Sequence, residues 1–272
     1  MKWVEGSREG EARLGELCRR GKCARRFRGF ADSASASSCV CFLWVVLSAV
    51  VTASRSLVVF DLDGTLVDSL ADIGACMNEL LEELGLPARA PDQYRRIVGD
   101  GARIAVMRAT GGAFDDDPVR VDELTAHYLD IYRARGNRFA APYAGIPEML
   151  ESLGRAGHTL AVLTNKPHDI GVRLVAEMFP SVRFSAVEGQ REGVRRKPDP
   201  GLLLEIIERL GFERGSTVYV GDTDTDMRTG KAAGVWTVGC AWGFRDAAEL
   251  RGAGADVVVA GVGEVEGVVV GR

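Results

Sequence analysis

Leu57-Val58-Val59-Phe60-Asp61-Leu62-Asp63-Gly64-Thr65-Leu66 is the stretch that decides the fold. Its apolar start reads as a short strand buried on both faces of a parallel sheet, ending where the first acid stands. That puts Asp61 and Asp63 at the carboxyl edge of the sheet, where doubly wound folds hold their ligands. Of two carboxylates so placed, one can attack while the other moves a proton, and Gly64 permits the tight turn around them, with Thr65 following. A strand-end turn carrying solvated acids is the plainer alternative for these residues taken alone.

The same grammar recurs downstream. Brief apolar runs at 160–163, 184–187, 218–220, 235–238 and 257–259 alternate with helical segments, which predicts an α/β fold with a Rossmann-like, doubly wound parallel sheet. About a hundred residues between the first two strands break the pattern. There, Ile73, Met77, Leu80, Leu81 and Leu84 fall at helical spacing before the Gly85 and Pro87 stop signal. Segments 104–109 and 121–134 also read as helices, and no strand is expected. Residues 71–142 are therefore expected to form a small helical insertion hinged near Ser69 and Tyr143, with 57–70 and 143–272 as the α/β core.

Three more polar groups follow predicted strands. Thr164-Asn165 offers a hydroxyl and backbone N–H groups to a phosphoryl oxygen, or simply starts a turn. Lys197-Pro198, after a loop carrying Arg191, Arg195 and Arg196, offers an ammonium that can neutralise a transferring phosphoryl group, or a solvated lysine. In Gly221-Asp222-Thr223-Asp224-Thr225-Asp226, one or two acids would serve as a helix cap. Three crowded together ask for a cation or a lysine, and hard oxygen ligands suit magnesium.

Taken in order, Asp61-Leu-Asp-Gly-Thr-Leu, Thr164-Asn165, Lys197-Pro198 and Gly221-Asp-x-x-x-Asp226 resemble the four motifs of the haloacid dehalogenase superfamily, closest to its phosphoglycolate phosphatase-like members. The resemblance implies a phosphatase with a helical cap, acting on a small phosphorylated metabolite such as 2-phosphoglycolate. By the same resemblance, Asp61 is the nucleophile and Asp63 the acid and base. Thr164 and Lys197 bind the phosphoryl group, and Thr65 and Asn165 also contact substrate. Mg2+ is held by Asp61, the Asp63 backbone carbonyl and Asp222, with Asp226 in support. Asp63 separates phosphatases from the dehalogenases proper, which lack it. The loop Val98-Gly99-Asp100-Gly101-Ala102 resembles the cap's substrate-facing loop, which makes Gly99 and Gly101 candidates, although a Gly-rich helix-helix turn reads the same way. Glu188-Gly189-Gln190 departs from the Gly-Gly-Asp common in relatives. A phosphosugar mutase of the β-phosphoglucomutase type shares the nucleophile but tends to lack the acid present here as Asp226.

Composition narrows the rest. The 272-residue chain is 46% hydrophobic and 26% charged, as a globular protein is. Its net charge of −4 conceals a basic start, since residues 1–54 hold nine Lys or Arg against five Asp or Glu. An acidic body excludes a broad nucleic-acid footprint. Cys18, Cys23, Cys39 and Cys41 form no CxxC pair and have no nearby histidine, so neither a disulfide framework nor a zinc site is expected. Residues 1–56 are expected to lie outside the fold, as an extension from an over-long translation start. The fifteen-residue apolar stretch 39–53 is short for a membrane span, yet an anchor, a late signal or a packing element remain alternatives. Without such an anchor, the cytoplasm is the expected location.

Overall fold

The computed structural model describes residues 55–271, so the expectations placed on the first 54 residues, including the apolar stretch 39–53, lie outside the described residues. The strands are β1 (Leu57–Phe60), β2 (Val67–Asp68), β3 (Ala141–Pro142), β4 (Thr159–Pro167), β5 (Phe184–Gln190), β6 (Thr217–Gly221), β7 (Trp236–Cys240) and β8 (Val257–Val259). Six of them pair in parallel in the order β5-β4-β1-β6-β7-β8. Counting only these six, the order is that of a Rossmann-like sheet, with the first strand central and the direction of winding reversing beside it.

Alternation along β1 explains its central place. Val58 and Phe60 join a cluster on one face, while Leu57 and Val59 join another on the opposite face, and none of the four is exposed. A strand apolar at every position can sit only where both faces are covered. β4 extends four residues past its predicted end because its pairing with β5 runs on to Pro167 opposite Gln190. Thr164 and Asn165 therefore lie on the strand's last turns of pleat rather than after it.

Residues 70–135 form α1 (Leu70–Glu83), α2 (Tyr94–Ile97), α3 (Ala102–Ala109) and α4 (Pro118–Arg135). Their apolar stripes, including Met77, Leu80, Val106, Leu124 and Tyr128, close a separate hydrophobic cluster, joined from the sheet side by Ile170 and Phe244. α4 starts three residues before its predicted position because Asp117 accepts from the Arg120 N–H at 3.0 Å and Pro118 occupies the first turn. The expectation of no strand in this region is corrected by β2 and β3, an antiparallel pair matching Val67 with Pro142 and Asp68 with Ala141. Two residues are too few to show a period of two. Beside this pair, the buried Asp72 carboxylate accepts three backbone N–H groups, from Arg138 at 3.1 Å, Phe139 at 3.0 Å and Ala140 at 2.7 Å. The outgoing and returning chains are thereby bound to each other.

Helices α5 (Ile146–Arg155), α6 (His168–Met178), α7 (Gly201–Arg209), α8 (Asp224–Ala233), α9 (Ala247–Gly252) and α10 (Val265–Val270) accompany the sheet. Ile146, Leu150 and Leu153 of α5 cover one face, and Leu203 and Ile206 of α7 cover the other. No helix among the described residues is long and apolar enough to cross a membrane.

Candidate active site

Parallel pairing in register brings the ends of three strands together. Phe60 stands opposite Val162 of β4 and Val220 of β6, so the residues just beyond converge. The Asp61 N–H continues the ladder, donating to the Val220 carbonyl at 2.9 Å. Asp61 is 6% exposed, with Lys197 Nζ lying 2.8 Å from its Oδ1. The Lys197 ammonium also donates to Asp226 Oδ1 at 2.6 Å and to the Leu163 carbonyl at 3.3 Å.

Asp61, Asp222 and Asp226 each bring a carboxylate oxygen within 4.8 Å of the others, all three buried. Burial pushes the Asp61 carboxyl up to about 7, with Asp226 adding to the rise and Lys197 opposing it. Asp222 is raised well above the ordinary range by burial, then by repulsion from Asp61 and Asp226. Burial disfavours the Lys197 ammonium, but Asp226 and Asp61 outweigh that and hold its pKa well above the usual value. One lysine among three buried carboxylates leaves negative charge uncompensated, which a divalent cation fits.

The hydrogen bonds separate the acids by role. Asp226 is saturated: Oδ1 takes Lys197 and the Tyr219 hydroxyl at 3.0 Å, and Oδ2 takes the Thr223 N–H at 3.0 Å and hydroxyl at 2.6 Å. Asp222 accepts one bond per oxygen, from the Thr65 hydroxyl at 2.8 Å and the Phe244 N–H at 2.8 Å, so each oxygen keeps a free lone pair. Asp61 Oδ1, despite the nearby ammonium, has no hydrogen bond of proper geometry. Asp61 and Asp222 are thus the oxygens free to hold a metal. The Asp222 side chain also occupies space that two glycines leave: a Cβ on Gly64 would sit 2.3 Å from its Oδ2, and one on Gly243 2.3 Å from its Cβ.

Asp63 faces a partner that the sequence reading missed. Lys166 Nζ lies 3.1 Å and 3.2 Å from the two Asp63 oxygens, and the Ser69 hydroxyl donates to Oδ1 at 2.5 Å. The ammonium also stands 4.5 Å from the centre of the Tyr132 ring on α4. Burial works against its charge, yet Asp63 and Tyr132 more than compensate and raise its pKa. The one available signal was its position directly after Thr164-Asn165.

The other predicted residues divide. Thr164 lines a cavity of about 70 Å³ between the strand ends and the helices, together with Asp61, Asp63, Gly99, Gly101 and Asn165. Gly99 and Gly101 take φ of 119° and 88°, left-handed values that favour glycine, and Gly101 caps the start of α3. Two expected substrate contacts have other partners. Thr65 is fully buried with its hydroxyl on Asp222. The Asn165 side chain is spent on backbone: it accepts from the Lys197 N–H at 2.9 Å and donates to the carbonyls of Gly99 at 3.1 Å and Lys197 at 3.2 Å. Glu188, in the atypical Glu-Gly-Gln segment, is buried and holds Arg191 and Arg209 at 2.6 Å and 2.5 Å.

Comparisons with known proteins agree with this geometry. The profile of the haloacid dehalogenase-like hydrolases matches residues 58–240. Over 191 residues the chain is 35% identical to the phosphoglycolate phosphatase of Pseudomonas putida, covering 69% of this chain and 70% of that one. It is 34% identical over 187 residues to the phosphoglycolate phosphatase of Aquifex aeolicus, covering 69% and 85%. A crystal structure from Lactobacillus delbrueckii subsp. bulgaricus superposes with a TM-score of 0.74 at 27% identity, covering 80% of this chain and 99% of that one. CbbY from Rhodobacter sphaeroides, solved in complex with phosphate, shares the fold at a TM-score of 0.64 and 21% identity, covering 78% and 96%. With its profile matched from the first sheet strand through the fifth and an acidic cluster at the strand ends, the chain belongs to the haloacid dehalogenase-like hydrolase family.

Proposed function

We propose that this hydrolase is a magnesium-dependent phosphatase that cleaves a small phosphate monoester through an aspartyl-phosphate intermediate, with 2-phosphoglycolate as its substrate. One observation carries the reading: Asp61, at the end of the central strand, is buried 2.8 Å from the Lys197 ammonium and within 4.8 Å of Asp222. A carboxylate so placed meets phosphorus beside a fixed positive charge.

In this scheme an Asp61 oxygen attacks phosphorus as the bond to the ester oxygen breaks, and Asp63 gives that oxygen its proton. Asp63 then takes a proton from water as the water attacks the phosphoaspartate, which releases phosphate and restores Asp61. Thr164 and Lys197 bind the phosphoryl oxygens, and Asp226 keeps the lysine in place. Asp61, Asp222 and the Asp63 carbonyl would hold the magnesium ion. When bound, it supplies charge neutralisation for the phosphoryl group and for the acids around it.

The helices of residues 71–142 act as a cap that shields the reaction from water, with Gly99 and Gly101 facing the substrate. The choice of 2-phosphoglycolate is supported by the relatives at 34–35% identity that carry the name phosphoglycolate phosphatase. A small phosphorylated metabolite as substrate puts the enzyme's work in the cytoplasm.

A panel of phosphate esters, assayed for free phosphate with and without magnesium, tests the reading. Magnesium-dependent release from 2-phosphoglycolate, abolished in a folded Asp61→Asn variant, is the expected result. Conversion of a sugar phosphate to its isomer without phosphate release would instead make the chain a mutase.

A further inference from the structure

We propose that Lys166 selects substrates that carry a second anionic group one or two bonds beyond the leaving oxygen, as the carboxylate of 2-phosphoglycolate does. The inference rests on the phosphatase reading above and adds the residue that makes it selective.

Among the described residues, Lys166 is the single cationic side chain in the lining of the cavity. Beside Asp61 and Asp63, its walls are largely apolar, with Ile73 and Leu129 from the helices and Phe244 from the sheet side, and the helices add the Tyr128 and Tyr132 rings. A carboxylate buried against such walls without a partner loses its hydration for nothing in return. A second anion entering with the phosphate finds its counter-charge among these residues in Lys166.

The lysine is placed to receive it. Its ammonium carries three donors, of which two are directed at the Asp63 oxygens. The Tyr132 ring at 4.5 Å holds it from the α4 side, so it does not swing freely. Lys166 is 8% exposed, which means an ion pair formed there is weakly screened.

Position sets the length of the substrate. Asp63 delivers the proton to the leaving oxygen, and Lys166 Nζ is 3.1 Å from Asp63 Oδ1. An anion on the carbon next to the ester carbon falls beside this ammonium, whereas the far phosphate of a longer sugar bisphosphate does not. A neutral ester leaves the Lys166–Asp63 pair as it is. An anionic one competes for the lysine and draws it from Asp63.

The test compares kcat/KM for 2-phosphoglycolate with that for ethyl phosphate, its counterpart without the carboxylate, in magnesium. Wild type is expected to prefer 2-phosphoglycolate by roughly 10²-fold or more. Lys166→Met should bring the ratio to within a few-fold of one, mainly through KM for 2-phosphoglycolate, and Lys166→Arg should keep most of the preference. The ratio does not depend on the folded fraction, and Lys166→Gln serves if the Met variant does not accumulate. A wild-type ratio near one overturns the proposal. So does an equal loss on both esters with the preference intact, which would leave Lys166 as a support for Asp63 only. Wild type inactive on both esters would overturn the phosphatase reading itself, an outcome distinct from either.

Discussion

Lys197 and Asp226 form a buried ion pair, with Nζ and Oδ1 2.6 Å apart and the carboxylate closed to solvent. The lysine comes from the loop between β5 and α7 and the aspartate from the first turn of α8, so the pair clamps two elements behind Asp61. Removing Asp226 takes from Lys197 one of its two buried carboxylate partners and leaves the Tyr219 hydroxyl and the Thr223 N–H and hydroxyl without this acceptor. Asp226→Ala should therefore lower stability by about 3–5 kcal/mol, read from urea unfolding at neutral pH. A loss under about 1 kcal/mol would mean that Asp61 alone satisfies the lysine.

Gly243 touches the same centre from the other side. A Cβ there would stand 2.3 Å from the Asp222 Cβ, with no flexible chain end to give way. Gly243→Ala should displace Asp222 and raise the magnesium concentration for half-maximal activity by about 10–100-fold, with the fold retained. A magnesium titration of phosphate release gives the answer, and an unchanged midpoint would remove Asp222 from the proposed metal site.

Asp72 binds the two chain crossings between the helices of residues 70–135 and the sheet. Asp72→Ala strips three backbone N–H groups, of the exposed Arg138 and Phe139 and the half-buried Ala140, of their buried acceptor. The expected cost is about 1–3 kcal/mol, with faster amide exchange confined to residues 138–140. Exchange measured by mass spectrometry would show whether the loosening is local; protection unchanged at those amides would contradict the assignment.

Asp100 gives the structure a pH signature. Burial opposes its ionisation, but hydrogen bonds from Thr225 at 2.6 Å and Arg108 at 2.5 Å outweigh that and hold its pKa below the ordinary value. A carboxyl depressed in the folded state stabilises fully above its unfolded pKa, about 3.9, and loses that contribution as pH falls through its folded pKa. The Tm advantage of wild type over Asp100→Asn should hold near neutral pH and shrink as pH drops below about 4. A difference that stays constant down to about pH 2.5 would show that the carboxylate charge contributes nothing.

Much of the site could be read before folding because its signals are local. An apolar run ending in Asp61 announces both the strand and the carboxyl edge of the sheet where the acids gather, and 218–220 before Gly221-Asp222 does the same. Helical spacing in α1 was equally plain, with Ile73, Met77 and Leu80 on one stripe. The four-residue α2 and the two-residue β2 and β3 escaped because such short elements hold about one period, too little for a pattern to repeat.

By itself, then, the sequence determined the Rossmann-like order of alternating elements, the helical insertion and the four polar groups at strand ends. Only the tertiary structure decided the partners: Lys166 with Asp63, Thr65 with Asp222, Asn165 with Gly99 and Lys197, Asp72 with Ala140. Period and turn chemistry are properties of neighbours along the chain. An ion pair between residues 103 positions apart is set by how parallel strands align their ends and by which groups burial forces to find a counter-charge.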